Sequence, residues 1–122
     1  MKLTPLENSN TTLQGGHFDS LLYQSIDEAM RVLGDAGKQA IYYYLEKSFS
    51  VKKEDFAAKV DVFSSSLVKI FGIGSNFIFE LTLRILSQKL DMDSAFFDLT
   101  KQSFPECISI ARKNFDSRKV TA

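Results

Sequence analysis

His17 is the only histidine and Cys107 the only cysteine of this 122-residue chain, so proton transfer and nucleophilic attack have few side chains to draw on. An imidazole serves as acid or base only when its geometry is fixed. His17 follows Gly15-Gly16 at the end of a segment rich in Thr, Asn, Ser and Gly, and reads as a solvated residue of an arm. Cys107 follows Pro105-Glu106 at a predicted helix start, where amide donors can lower a thiol pKa. No base accompanies it in the predicted folded part, so packing is the better use of that side chain. Asp91 and Asp93 begin like a calcium loop, but Ala95, Phe96 and Phe97 follow where a third oxygen ligand and a glycine are needed, so both read as helix caps. Glu54-Asp55 has no partner carboxylate at an inferable distance. No catalytic residue, cofactor or metal site is expected.

Gly72-Ile73-Gly74-Ser75 has the look of part of a phosphate cradle, because free amides at a helix start attract anions. It lacks a preceding strand, a third glycine and the Lys-Ser or Lys-Thr of a P-loop, and reads as a turn. Helix-turn-helix recognition is the other reading of this segment. The following helix, however, offers only Asn76, Glu80, Arg84 and Gln88 as polar groups, with one charge of each sign, while Phe77, Phe79 and Leu83 call for a core. Direct DNA contact through Lys52, Lys53, Arg112, Lys113, Arg118 and Lys119 is therefore the lesser alternative. Tyr42-Tyr43-Tyr44 spread over about 200° of a helix, so they cannot share one core. With Tyr44 facing inward, Tyr42 and Tyr43 become candidate interface residues, since exposed Tyr joins area to a polar tip. Phe96, Phe97 and Phe115, in the segment Phe96 to Phe115, are the other candidates for a protein contact or self-association.

These side chains sit on a frame that composition bounds. A chain of this length makes one small core, and a hydrophobic fraction of 44% with 25% charged residues is that of a folded protein. Basic and acidic residues both number 15, which removes the broad attraction that nonspecific nucleic-acid or membrane-surface binding relies on. Charge is nonetheless uneven. Asp19, Asp27, Glu28 and Asp35 oppose Arg31 near the start of the fold, and Arg112, Lys113, Arg118 and Lys119 oppose Glu106 and Asp116 near its end. A solvated face explains both. One cysteine excludes an internal disulfide and fits a reducing compartment. No apolar run approaches the roughly 20 residues of a membrane span, and no basic-then-apolar leader opens the chain, so a cytoplasmic protein without membrane contact is expected.

Periodicity predicts an all-α fold, a compact bundle of five or six short helices around one long apolar central helix. Residues 1–17 read as a disordered arm, 18–117 as a single helical domain, and 118–122 as a tail. Leu22, Ile26, Ala29, Met30 and Leu33 form the first stripe, with Gly34 as a left-handed stop and Asp35 capping a second helix along Ala40, Ile41, Tyr44, Leu45 and Phe49. That pair is expected to form a tight hairpin. Residues 50–59 are charged and less periodic, with Phe56 as their anchor, and read as a short helix or an irregular crossover. Asp61 caps a helix carrying Phe63, Leu67, Ile70 and Phe71, which ends at the turn glycines Gly72 and Gly74. Asn76 to Leu90 is apolar over most of its circumference and belongs in the middle of the bundle. Phe96, Phe97 and Leu99 suggest a further helix, and Pro105 breaks the pattern before Ile108, Ala111 and Phe115.

The block Leu33-Gly34-Asp35-Ala36-Gly37-Lys38-Gln39-Ala40-Ile41-Tyr42-Tyr43-Tyr44-Leu45-Glu46, with Phe63, Leu67 and Phe71-Gly72-Ile73-Gly74 after it, resembles the Nitrosopumilus output domain family. Those are small domains of archaeal two-component signalling. The resemblance covers residues 22–90, making 18–90 a family-like core and 91–117 a C-terminal helical extension. It implies a non-catalytic signalling or regulatory output module that acts through protein contacts, and it transfers no catalytic residue. Two features depart from the family pattern: Phe77 and Phe79 precede Glu80 where a small residue is expected, and the segment after Asp91 is additional.

Overall fold

The structure, a computed structural model, describes residues 6–93 and 97–121, with side chains from 16 to 93 and from 97 to 117. Among these residues every regular element is helical: α1 (Leu6–Met30), α2 (Gly34–Phe49), α3 (Asp55–Ala58), α4 (Val60–Phe71), α5 (Ser75–Leu90) and α6 (Phe104–Thr121). Short 3-10 turns at Arg31–Leu33 and Gly72–Gly74 join α1 to α2 and α4 to α5. The described residues therefore form four uninterrupted helical stretches, fewer than the five or six separate helices expected.

Phe18, Leu22, Ile26, Ala29 and Met30 recur at helical spacing, and all are fully buried, so one stripe of α1 faces the core from Phe18 to Met30. Its main partner is α5, where Ile78, Phe79, Leu83, Leu86 and Leu90 are buried. The polar stripe Asn76, Glu80, Arg84 and Gln88 is exposed, and the long apolar helix is thus present as expected. Phe77 is the exception. The breadth of the apolar surface argues for the core, yet Phe77, in the first turn of α5, is 58% exposed.

Several boundaries differ from the sequence reading. Helix α1 begins at Leu6, not near Phe18, so the expected arm is helical from Leu6 onward. Two glycines lower helix propensity by about 1 kcal/mol each without ending a helix. Helix α6 runs to Thr121, through the expected tail at 118–121. Phe97 to Ser103 is irregular instead of helical: Asp98 Oδ1 accepts both the backbone N–H and the hydroxyl of Thr100, which closes a local turn that competes with a helix. Asp35 makes no side-chain cap, whereas Asp91, with φ +57°, terminates α5.

Gly34 (φ +79°) and Gly72 (φ +60°) adopt backbone angles that L-residues avoid. Gly74, at φ −64°, does not, so only two of the three turn glycines are needed for their conformation. Because the Gly72–Gly74 turn joins its neighbours, Val60–Leu90 becomes a stretch of 31 residues that is long and apolar enough to cross a membrane by length and composition. That corrects the expectation that no run comes near a span. Gly72 still breaks the helical geometry, leaving α4 at roughly 18 Å and α5 at roughly 24 Å, each short of a hydrocarbon core of about 30 Å.

Candidate functional site

Helix α2 joins the body through a polar node. Asp27, on α1, is 18% exposed, and the ammonium of Lys38, 11% exposed, lies 3.1 Å from its Oδ1 and 3.2 Å from its Oδ2. The Tyr42 hydroxyl donates to Asp27 Oδ1 at 2.8 Å. Arg31 approaches the same carboxylate at 3.6 Å, the i,i+4 pair that the sequence suggests. Burial opposes the charge on Asp27, but the hydrogen bonds of Lys38 and Tyr42 and the charges of Lys38 and Arg31 outweigh it and hold the carboxyl below its ordinary 3.8. Burial, then the Asp27 carboxylate, push the Tyr42 phenol far above 10.0. Tyr23, beside it, is raised by the same two causes in the same order.

The Tyr42 ring packs edge-on against Phe56 at 5.3 Å, and Phe56 sits 4.5 Å from Phe63. Phe56 anchors the crossover, as expected. Tyr42 is 6% exposed and cannot be an interface residue. Tyr43 and Tyr44 are 65% and 47% exposed instead, which corrects the assignment of Tyr44 to the inner face. Three consecutive tyrosines carry no internal signal for which points inward; Asp27, fifteen residues earlier, decides it. The expected tight α1–α2 hairpin is likewise revised: α1 packs chiefly on α5, and α2 is tied to it by this node.

The exposed face of α2 is ordered by its own neighbours. Lys47 lies 5.7 Å from the Tyr43 ring centre, and Phe49 meets the Tyr44 ring edge-on at 5.7 Å. The other interface candidates are spread elsewhere. Phe97 and Phe115 are half-buried against the core, Phe115 lying 5.7 Å from both the His17 and Phe18 rings. Phe96 falls outside the described residues. His17, on a helix instead of an arm, is exposed. Cys107 is fully buried, 3.6 Å from Gln102 Oε1, and burial pushes its thiol up.

An ion pair joins the two oppositely charged segments of the chain. Arg112 on α6 stands 2.8 Å from Asp19 on α1 and over the Phe18 ring, and Lys89 on α5 pairs with Glu28 at 2.9 Å. Of the basic residues considered for DNA contact, Arg112 is thereby engaged, Lys53 lies 5.6 Å from the Tyr42 ring, and Lys52 and Lys113 are not buried. The side chains of Arg118 and Lys119 fall outside the described range. An open cleft of about 430 Å³ borders the node, lined by Asp19, Tyr23, Lys53 and Glu54 among others. Among the described residues no three His, Cys, Asp or Glu side chains gather as metal ligands would. At the turn, the Ser75 hydroxyl donates to the Gly72 carbonyl at 2.8 Å, an internal bond and not one offered to an anion.

Two features lie outside what the residue pattern predicts above. Ser103 and Glu106 form a reciprocal capping box at the start of α6, with Ser103 N–H on Glu106 Oε1 at 2.8 Å and Glu106 N–H on Ser103 Oγ at 3.2 Å. The Ser-x-x-Glu spacing displays it openly. Lys38 carries no such signal, since its acid lies eleven residues away across a turn. With this geometry in place, comparison with family models, curated proteins and solved structures finds no match to the chain.

Proposed function

We propose that this chain is a non-catalytic signalling or regulatory module that acts through protein contacts, self-association foremost. The observation that carries the reading is the α2 face, where Tyr43 and Tyr44 stand exposed on a helix whose opposite side is tied to the body by Asp27, Lys38 and Tyr42. Rigid exposed tyrosines bring contact area at small entropic cost. The resemblance of residues 22–90 to an output domain of archaeal two-component signalling points the same way.

Light scattering at high micromolar concentration tests it, comparing the natural chain with Tyr43→Ser/Tyr44→Ser. An associated species that the double variant loses, at unchanged thermal midpoint, supports the reading. A natural chain that stays strictly monomeric and retrieves no protein from a host lysate overturns it. Direct DNA contact is the competing reading, separated by titration with duplex DNA: affinity that falls steeply with salt would favour it.

A further inference from the structure

The α4–α5 elbow has properties that the contact role of α2 leaves unused. Ile73, between Gly72 and Gly74, is 88% exposed; Phe77, in the first turn of α5, is 58% exposed; Val68, in the last turn of α4, is 47% exposed. All three lie within five residues of the Gly72 turn. The run from Val62 to Phe79 contains one charged residue, Lys69, which is exposed and basic. Its two flanking helices together have the length and apolar composition of a membrane span, although the break at Gly72 keeps them from forming a straight one.

We propose that this elbow is a membrane-inserting tip, which seats Ile73 and Phe77 at the boundary between headgroups and acyl chains of a lipid bilayer while the rest of the bundle stays outside. Backbone satisfaction is the first requirement for entering that environment. The tip meets it at Gly72: its N–H donates to the Val68 carbonyl, and its own carbonyl accepts both the N–H and the hydroxyl of Ser75. Glycines on either side of Ile73 add no polar side chain. Lys69 can place its stem along the acyl boundary and its ammonium among phosphates. Charge content names the occupant: between Val62 and Phe79 there is one cation and no acid to pair with a protein partner, the flanking stretch has the apolar composition of a membrane span, and shallow insertion needs only an apolar tip.

Because the chain carries no net charge and the tip a single cation, binding is driven by apolar transfer and depends weakly on salt. The full chain should float with large unilamellar vesicles of phosphatidylcholine, with less than about a twofold change on raising salt within the Debye-screening range. Ile73→Ser/Phe77→Ser should reduce the bound fraction at least tenfold at unchanged thermal midpoint, since both side chains are exposed in the fold. The chain has no tryptophan, so Ile73→Trp provides a single emitter whose spectrum should shift to the blue when vesicles are added. Tyr43→Ser/Tyr44→Ser should leave flotation intact, so failure of the α2 contact and failure of this tip are read separately. Absence of flotation by the natural chain overturns the proposal, as does equal flotation of the Ile73/Phe77 double variant. Loss of a lipid-free oligomer in that variant, without flotation of the natural chain, assigns the elbow to a protein contact and overturns it too.

Discussion

The seam between α1 and α5 and the attachment of α2 use opposite physics. Along the seam, buried aliphatic and aromatic side chains recur on both helices, and no single pair defines the contact. At α2, few side chains are buried, and one of them is a lysine: Lys38, Tyr42 and Leu45. Apolar burial is roughly additive with area and non-directional, so each buried side chain of the seam contributes on its own, and truncating one costs its transfer term plus a cavity. A charged hydrogen-bonded node is strongly favourable only when complete, and leaves an expensive unpaired group when one member is removed. The contrast teaches that the body and α2 should respond to different perturbations, even though the chain folds as one bundle.

Truncating the seam should have the largest effect. Leu22→Ala removes a fully buried side chain of α1 and should cost about 3 kcal/mol of unfolding free energy. Denaturant titration should show it equally by far-ultraviolet circular dichroism and by a probe on α2. If the two probes separate, the seam and α2 are not one cooperative unit.

Breaking the node comes next. Asp27→Ala leaves the Lys38 ammonium without its acid and should cost about 2 kcal/mol, with amide exchange rising in α2 before it rises in α1 or α5. The same node predicts pH dependence at both ends. The folded pKa of Asp27 lies below 3.8, so its contribution is present above the unfolded value and is lost as pH falls through the folded one. Tyr42 is displaced upward from 10.0, so stability declines as pH rises above 10, where only the unfolded chain gives up that proton. The difference in unfolding free energy between the natural chain and Asp27→Asn should narrow below pH 4; a constant difference from pH 7 to pH 2 would remove the electrostatic account of α2.

The smallest effect sharpens the hinge between the two regions. A Cβ at Gly34 would meet open space, but the backbone there has φ +79°, so Gly34→Ala should cost about 1 kcal/mol from backbone strain alone. Thermal melting should register it, and Asp27→Ala should add to it. Strict non-additivity would place the turn and the node in one coupled element.

Much of this organisation is legible in the residues. The 3.6-residue recurrence of Leu22, Ile26, Ala29 and Met30, the need for glycine at positions 34 and 72, and the exposed stripe of Asn76, Glu80, Arg84 and Gln88 all follow from local pattern. What escaped depends on distance or competition. Tyr42 turns inward because of an acid on another helix, a fact that no window around Tyr42 contains. Phe97 leaves the helical state because Asp98 and Thr100 close a turn of their own. Ser103 and Glu106 were readable, but Pro105 between them draws attention to a break when it sits comfortably in a first helical turn. The exposure of Ile73 and Phe77 illustrates the reverse case, in which apolar character alone does not say whether a side chain meets protein.

Cys107 has a practical consequence. It is the sole thiol of the chain, fully buried at the start of α6, so a water-soluble thiol reagent can reach it only when that part of the molecule opens. With reagent in excess, the modification rate saturates at the opening rate; with reagent limiting, it reports the open population. The protein thus contains a single-site clock for its own breathing, in place without any engineered label.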